Sequence, residues 1–544
     1  MANHFTIPEQ LERMPFLRML IPLIAGILLA DYLVVPTGVL LAGLVVLILC
    51  YFIFRGERLR QVLLVLMILM TGISVSEVLT PRETMPRNER MVISGVIGDN
   101  INTYGRWHRT SAQVTSFRSY DDSTARWQSC DEKILLYIDT VYSVSLGDRI
   151  CAVAYINPLD TVKGTSGYAR TMRSRGVLGK AFVIDGRLIS CEETSAGNFW
   201  EFLMKLSKRA QAAITGRLAK FDMDDRELGV AMALLAGDRT LLDPELKEDY
   251  SKAGTSHILA ISGLHLGIIF LLLNYLFTPL LLFRRGRAVR TVLVILALWT
   301  YAFISGMSAS VLRAAFMLTV MQFSLFTVWN HNSYNALFGS AFILLLIRPT
   351  FLYDISFQMS YLALLGILFF YPRFNRWTRV DRATVWFRRW RNRTKGVLRL
   401  PVAFVCNLFV FMTGAILIGL SAQITVIPLV GWAFGRLPLL SILANPLIML
   451  VITWLMVAGF AYLILAGVPG LGWLAGVILK WLLERQNSWV EWIAKWPGAS
   501  IENVSYSTPV LFLIYFFLLL LMTGIKYLEE RKHQPEPADV QPFA

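Results

Sequence analysis

A chain of 544 residues with 55% hydrophobic and only 16% charged side chains carries too much apolar surface for two or three soluble domains of that length. It reads as a polytopic α-helical membrane protein, with spans of about 20 apolar residues each, broken by one stretch of soluble composition from Pro81 to Tyr250. The net charge of +15, from 52 Lys and Arg against 37 Asp and Glu, fits either the basic excess of cytoplasmic loops or a polyanionic partner.

Glu9, Glu12 and Arg13 precede the first apolar run, which argues against a cleaved secretory signal. Runs at 16–35, 36–54 and 61–79 predict three helices, with Arg55, Arg58 and Arg60 in the loop between the second and third. That loop is expected inside, which puts the soluble segment outside. Further runs at 256–283, 291–307, 309–329, 334–350 and 355–371 keep the frame, because Arg284, Arg285, Arg287 and Arg290 and the ten basic residues of 373–399 then fall inside as well. Residues 401–435 read as one long broken helix or two short ones, for about ten or eleven spans in all.

In the soluble segment, β-type runs recur at 91–97, 109–117, 133–139, 149–156, 177–184 and 187–191. Lys133 to Ile138 and Ile150 to Tyr155 alternate with a period of two. Five or six such strands predict a small closed barrel, of which the oligonucleotide-binding (OB) type is one. Cys130, Cys151 and Cys191 lie here, and an oxidising compartment would allow one pair with one cysteine left over, without the sequence deciding whether any pair forms. The run 163–180 holds Lys163, Arg170, Arg173, Arg175 and Lys180 without an acid, which suits a solvated loop or a surface facing anionic lipid.

Phe199 to Phe221 is expected to lie as an amphipathic helix on the membrane surface. Asp243 before Pro244 reads as an N-cap. A second interfacial helix is expected at 470–497, where Trp481, Trp489, Trp492 and Trp496 share one face, as an aromatic belt or, more sharply, as a base-stacking surface.

No GxxxxGK[ST] loop occurs, so the chain is not its own motor, and neither HExxH nor a His/Asp cluster at metal-ligand spacing occurs. No enzymatic activity and no cofactor are expected. On a continuous helix His257 and His265 would share a face about 12 Å apart along the axis, too far to hold one ion. Hydrogen-bonded packing is the plain reading of both.

The stretch Leu234 to Leu273, LLAGDRTLLDPELKEDYSKAGTSHILAISGLHLGIIFLLL, resembles the signature of the ComEC family, the DNA-internalisation channel proteins of bacterial natural competence. Blocks within Ser305 to Phe370 (SGMSASVLRAAFM, YNALFGSAFILLLIRP, DISFQMSYLALLGILFF) and Ser421 to Pro446 (SAQITVIPLVGWAFGRLPLLSILANP) follow in the same order. GYARTMRSRGVLGKA, Gly167 to Ala181, resembles the end of that family's extracellular barrel. The resemblance implies a channel in the bacterial cytoplasmic membrane that passes one DNA strand. The metallo-β-lactamase-like domain of many members has no counterpart here: the tail Lys526 to Ala544 follows the last span, without an HxHxDH pattern. Another protein is then expected to supply the nuclease or DNA receptor, and a separate cytoplasmic ATPase the drive.

A path for a polyanion needs polar groups at membrane depth, where each charge costs about 2.5–3.5 kcal/mol on insertion scales. The candidates are Arg313, Gln322, Arg348, Gln358, Gln423 and Asn445, with His257, Ser262, His265 and Asp354 near them in the matching blocks. Simple snorkelling is the plain alternative for Arg313 and Arg348, and Asp354 is expected to cap a helix or pair with Arg348. Gly263 and Gly267 are expected to allow close helix packing around His265. On the barrel, Arg170, Arg173, Arg175 and Lys180 are the expected phosphate contacts and Tyr104 and Trp107 the stacking groups.

The layout is therefore a three-helix segment 1–80, an OB-like extracytoplasmic domain 81–197, amphipathic and capping helices 198–255, a channel domain 256–528 and a cytoplasmic tail 529–544. The expected partners are single-stranded DNA, membrane lipid and a second copy of the chain. A small-solute or lipid-linked substrate permease and a membrane scaffold for uptake proteins are the rival readings.

Overall fold

The computed structural model describes residues 14–532 except 34, 82, 99–101, 105, 123, 125, 143, 145–146, 160–168, 170–171, 194–198, 328–331, 379–388, 390–398 and 439. Three apolar helices lead the chain: α1 (Pro15–Ala30), α2 (Thr37–Ile53) and α3 (Glu57–Leu79). Two glycines bring α1 and α3 into backbone contact, since a Cβ on Gly72 would lie 2.6 Å from the Leu23 carbonyl oxygen. The outward faces of these helices are as apolar as the inward ones, with Val39, Leu41, Val45, Phe52 and Val65 exposed. Only lipid accommodates such a surface.

The soluble segment folds into β1 (Glu89–Ile97), β2 (Asn102–Tyr104), β3 (Trp107–Ser119), β4 (Gln128–Asp139), β5 (Asp148–Pro158) and β6 (Val177–Glu193). The sheet runs β1-β5-β6-β4-β3-β2, and β1 also pairs with β3, which closes five strands into a ring. All pairs are antiparallel except β4 with β6. The alternation read from Lys133 to Ile138 holds, with Ile134, Leu136 and Ile138 in the core beside Ile93, Ile150 and Ile156. Leu135 faces the other way yet is also buried, against Leu159, Ala169 and Val177. The two expected runs 177–184 and 187–191 are one strand, β6, and the three-residue β2 was not expected.

Glu132 is fully buried on β4. Its carboxylate accepts hydrogen bonds from the backbone N–H of Thr84, the Thr84 hydroxyl at 2.8 Å, the Met85 N–H at 2.6 Å and Arg87 Nη2 at 2.8 Å. Burial alone would raise its pKa, but these donors outweigh burial and hold the carboxyl below its ordinary value. The segment leaving α3 is thereby anchored to the barrel. Cys130 and Cys151 are free thiols, each raised in pKa by burial, with Glu132 adding to the effect on Cys130. No disulfide joins these two, and the Cys191 side chain lies outside the described residues.

Helices follow the barrel: α4 (Phe199–Leu218), α5 (Asp225–Leu235), α6 (Pro244–Lys252), α7 (Gly263–Leu276), α8 (Gly286–Ile304), α9 (Ala309–Thr327), α10 (Ser333–Ile347), α11 (Ile355–Trp377), α12 (Arg399–Phe434), α13 (Ser441–Leu465), α14 (Leu471–Ala494) and α15 (Thr508–Lys532). Asp243 caps α6 as expected, accepting from the Glu245 N–H at 3.1 Å. Among the described residues, six helices are long and apolar enough to cross a membrane, α3, α8, α11, α12, α13 and α15, and five apolar helices are shorter. The protein is a multi-pass membrane protein. Residues 401–434 belong to one helix, α12, of 36 residues with Pro428 inside it.

The run 256–283 is not one span. Its helix starts only at Gly263, because Ser262 and His265 form a capping box there. At 14 residues α7 is roughly 21 Å long, short of the ~30 Å hydrocarbon core. Within 470–497 the helix α14 buries Leu479, Leu483 and Val490 and exposes Trp481, Trp489 and Trp492, so these tryptophans stand on its outward face.

The chain divides into two compact units, residues 1–15, 359–447 and 496–544 in one, and 16–358 and 448–495 in the other. In the first, Gly366 lets α11 lie on α12, since a Cβ there would meet the Ser421 carbonyl oxygen at 2.4 Å. Arg373 and Arg376 both bind Glu529 there, at 2.8 and 2.9 Å. The second holds the barrel, α1 to α10 and α14. There α6 docks on α14 through buried Tyr250, whose hydroxyl accepts from Gln486 Nε2 at 2.9 Å and donates to Asn487 Oδ1 at 3.1 Å.

Candidate functional site

In the larger unit, the segments 172–181, 234–273, 305–327 and 332–358 are linked by the contacts that follow. Between β5 and β6 the chain makes a short turn over 172–176, with Met172 seated on the Leu135 cluster on the outer face of β4. Ser174 at its tip is buried, and its hydroxyl reaches Asp354 Oδ2 at 3.5 Å. Arg348 Nη2 donates to the Ser174 carbonyl oxygen at 3.4 Å. The barrel is thus tied to the connection between α10 and α11. Arg175 projects from this turn into solvent, whereas Arg173 pairs with Glu83 at 3.5 Å. Lys180 is half-buried on β6, and Arg170 lies outside the described residues.

Asp354 chooses between the two roles expected of it. Its Oδ1 accepts from the N–H groups of Ser356 at 2.7 Å and Phe357 at 3.1 Å, the geometry of an N-cap on α11. Arg348 turns to Thr350, at 3.3 Å, and to the Phe351 ring, at 5.1 Å. Gln358 donates to the Leu352 carbonyl at 2.8 Å and so braces the turn between α10 and α11.

Two glycine contacts join the Leu234 block to the Ser305 block. Gly237 has φ +74°, and a Cβ there would lie 2.7 Å from the Ser305 carbonyl oxygen, so only glycine fits. At Gly263 a Cβ would meet Arg313 Nη2 at 3.2 Å. Arg313 is only 9% exposed. It does not snorkel; it is packed inward against the first residue of α7. Gly267 is a different case from the one expected, since a Cβ there would meet nothing within 4 Å. Helix packing rests on Gly263 alone of that pair.

His265 is 1% exposed. Its Nδ1 accepts from the Ser262 N–H at 3.1 Å and lies 3.0 Å from the Ser262 hydroxyl, which places the ring proton on Nε2. His265 therefore fixes the start of α7. His257 is not on that helix but in the turn before it, so the two histidines do not share a helix face, and the His257 side chain is accessible. Gln322 is buried in a bracing network, accepting from Asn274 Nδ2 at 3.3 Å and donating to Thr291 Oγ1 at 3.5 Å. In the other unit, Gln423 Nε2 donates to Ser441 Oγ at 2.8 Å. Gln423 Oε1 and Asn445 Oδ1 are buried without a hydrogen-bond partner there.

The barrel carries an aromatic row that composition alone did not reveal. Trp107 lies edge-on to Phe182 at 6.1 Å, and Phe182 stacks on Tyr137 at 4.6 Å. Arg106 covers the Trp107 ring at 4.8 Å. Tyr137 and Met172 both pack against the Leu135 cluster on the outer face of β4, and that cluster also seats the turn that bears Arg175. Tyr104 lies on β2, and its side chain is outside the described residues. Phe182, Tyr137 and Arg106 were missed because strand alternation gives each of them a face but not its neighbours across the sheet.

Residues 234–529 match the family described as Competence protein. The chain is 26% identical over 314 residues to ComE operon protein 3 of Bacillus subtilis (strain 168), across 55% of this chain and 34% of that protein. It is 30% identical over 147 residues to an uncharacterised protein of Aquifex aeolicus (strain VF5), across 27% of this chain and 34% of that protein. The chain spans about a third of the length of each of these relatives. No solved structure matches it.

Proposed function

This chain belongs to the Competence protein family, and from that premise we propose that it conducts single-stranded DNA across the bacterial cytoplasmic membrane during DNA uptake. The observation that carries the reading is the join at Ser174: through Asp354 and Arg348 it makes the barrel continuous with the helices that bear the family's sequence blocks. A strand held on the barrel is thereby delivered to the membrane region.

The barrel is read as extracytoplasmic and of the oligonucleotide-binding type. The ring order β1-β3-β4-β6-β5, with β4 and β6 as its one parallel pair, supports this. Bases stack on the row Trp107, Phe182 and Tyr137, and phosphates follow the guanidiniums toward the mouth. Motor and nuclease are placed on other polypeptides. The test is binding of fluorescent oligonucleotides to the full chain in lipid nanodiscs. Single strands of unrelated sequence should bind alike, with affinity falling as salt rises at a log–log slope of roughly −0.7 per phosphate neutralised. Absence of binding at low salt would contradict the reading.

A further inference from the structure

Between α7 and α8 the surface changes from apolar to basic within a few residues. Leu282 is 88% exposed and Phe283 70% exposed, and Arg284, Arg285 and Arg287 follow, all of them exposed. Hydrogen bonds fix the backbone of this projection. A 3₁₀ turn over Thr278–Leu282 leads into it, the Phe283 N–H donates to the Leu280 carbonyl at 3.1 Å, and the Gly286 N–H donates to the Phe283 carbonyl at 2.9 Å. A Cβ on Gly286 would run into the Leu280 carbonyl oxygen, so the chain turns this tightly only with glycine there. Arg290 Nη2 and the Thr278 hydroxyl both donate to the Asn274 carbonyl oxygen, at 2.9 Å each, which ties the start of α8 to the end of α7.

No Asp or Glu occurs from 250 to 353, and among the described residues none of Arg284, Arg285 and Arg287 pairs with a carboxylate. Beyond Arg285 one stripe of α8 is apolar and exposed, with Val289, Val292 and Leu296 at helical spacing. That arrangement matches a phospholipid, whose phosphate meets the guanidiniums while its acyl chains lie along the stripe. A nucleic acid strand would cover the arginines and leave Leu282 and Phe283 in water, whereas a membrane surface covers both. We propose that the turn 282–287 is a binding site for an anionic phospholipid: Leu282 and Phe283 enter the acyl region, and Arg284, Arg285 and Arg287 hold the headgroup phosphate. An anionic headgroup is favoured over a zwitterionic one, because choline would add a further positive charge to three that have no acid beside them. The proposal needs only the multi-pass membrane character of the chain and does not depend on the DNA-conducting reading.

The test uses the full chain with Leu282→Cys carrying the fluorophore NBD, in nanodiscs whose lipids are brominated on the acyl chains, with wild type treated alike as the background. At equal mole fraction, brominated phosphatidylglycerol should quench the probe about threefold more than brominated phosphatidylcholine. Arg284→Gln, Arg285→Gln and Arg287→Gln together should abolish that preference while phosphatidylcholine still quenches. The corresponding triple lysine variant should keep part of it, since the charges remain and the forks do not. A probe at Val39→Cys, exposed on α2, a helix without a basic residue, should show no preference in any background. Equal quenching by both lipids at Leu282, or a preference that survives the glutamine variant, would overturn the proposal. So would free access of iodide to the probe without quenching by either lipid, which would place the tip in water. If oligothymidylate shields the probe and lipid composition has no effect, the turn takes a nucleic acid and the proposal is wrong.

Discussion

The guanidinium of Arg313 lies against Gly263, so close that a single methyl group at Gly263 would come within 3.2 Å of Nη2. A charged side chain on α9 is thus housed by the missing side chain at the first residue of α7. A buried guanidinium is costly unless it is engaged, and Arg313 Nη1 also reaches Met317 Sδ at 3.9 Å.

Arg313→Ala and Gly263→Ala are each expected to leave the protein inserted and DNA bound at the surface, while reducing internalised DNA at least tenfold. Arg313→Lys should recover part of the loss, because the point charge remains and the fork does not. In the Arg313→Ala background, Gly263→Ala should cost little more, as it does when two positions act through one contact. Additive losses would separate the two residues.

Glu132 gives the barrel an acid-labile anchor. Its pKa is lowered in the fold, so its contribution to stability is present above the unfolded value and is lost as pH falls through the lower folded value. Glu132→Gln should weaken the barrel at neutral pH by on the order of 3 kcal/mol, the cost of leaving Arg87 buried without its partner. It should also flatten the loss of resistance to proteolysis between pH 5 and pH 2, roughly the window in which a paired carboxylate protonates. An unchanged pH profile in Glu132→Gln would remove Glu132 as the cause.

Introduced cysteines report the orientation. The native Cys130 and Cys151 are half-buried with raised pKa, so their background reaction with a maleimide is low. Val141→Cys on the barrel should react with a membrane-impermeant maleimide applied from outside, and Arg285→Cys and Arg389→Cys only after the membrane is opened. External labelling of Arg389→Cys would reverse the frame.

Much of this was legible in the sequence where a local period decides the outcome. The alternation from Lys133 to Ile138 predicts β4, and Asp243 before Pro244 predicts the start of α6, because the physics involved spans only a few residues. The start of α7 was not legible: apolar residues continue upstream of Ser262, and the serine and histidine that end them look like ordinary polar insertions until the cap forms. Gly267 follows the same small-residue spacing as Gly263 but meets nothing. Arg313 was found from the cost of a charge in an apolar helix, a signal that composition preserves, though its direction was not.

The central claim is tested most directly by following labelled DNA in competent cells from which this chain has been deleted, with DNA on the cell surface and DNA in the cytoplasm measured separately. Restoring the wild-type chain should return single-stranded label to the cytoplasm, whereas the deletion and Arg313→Ala should accumulate label at the surface only. Normal amounts of label in the cytoplasm of the deletion strain would contradict the account.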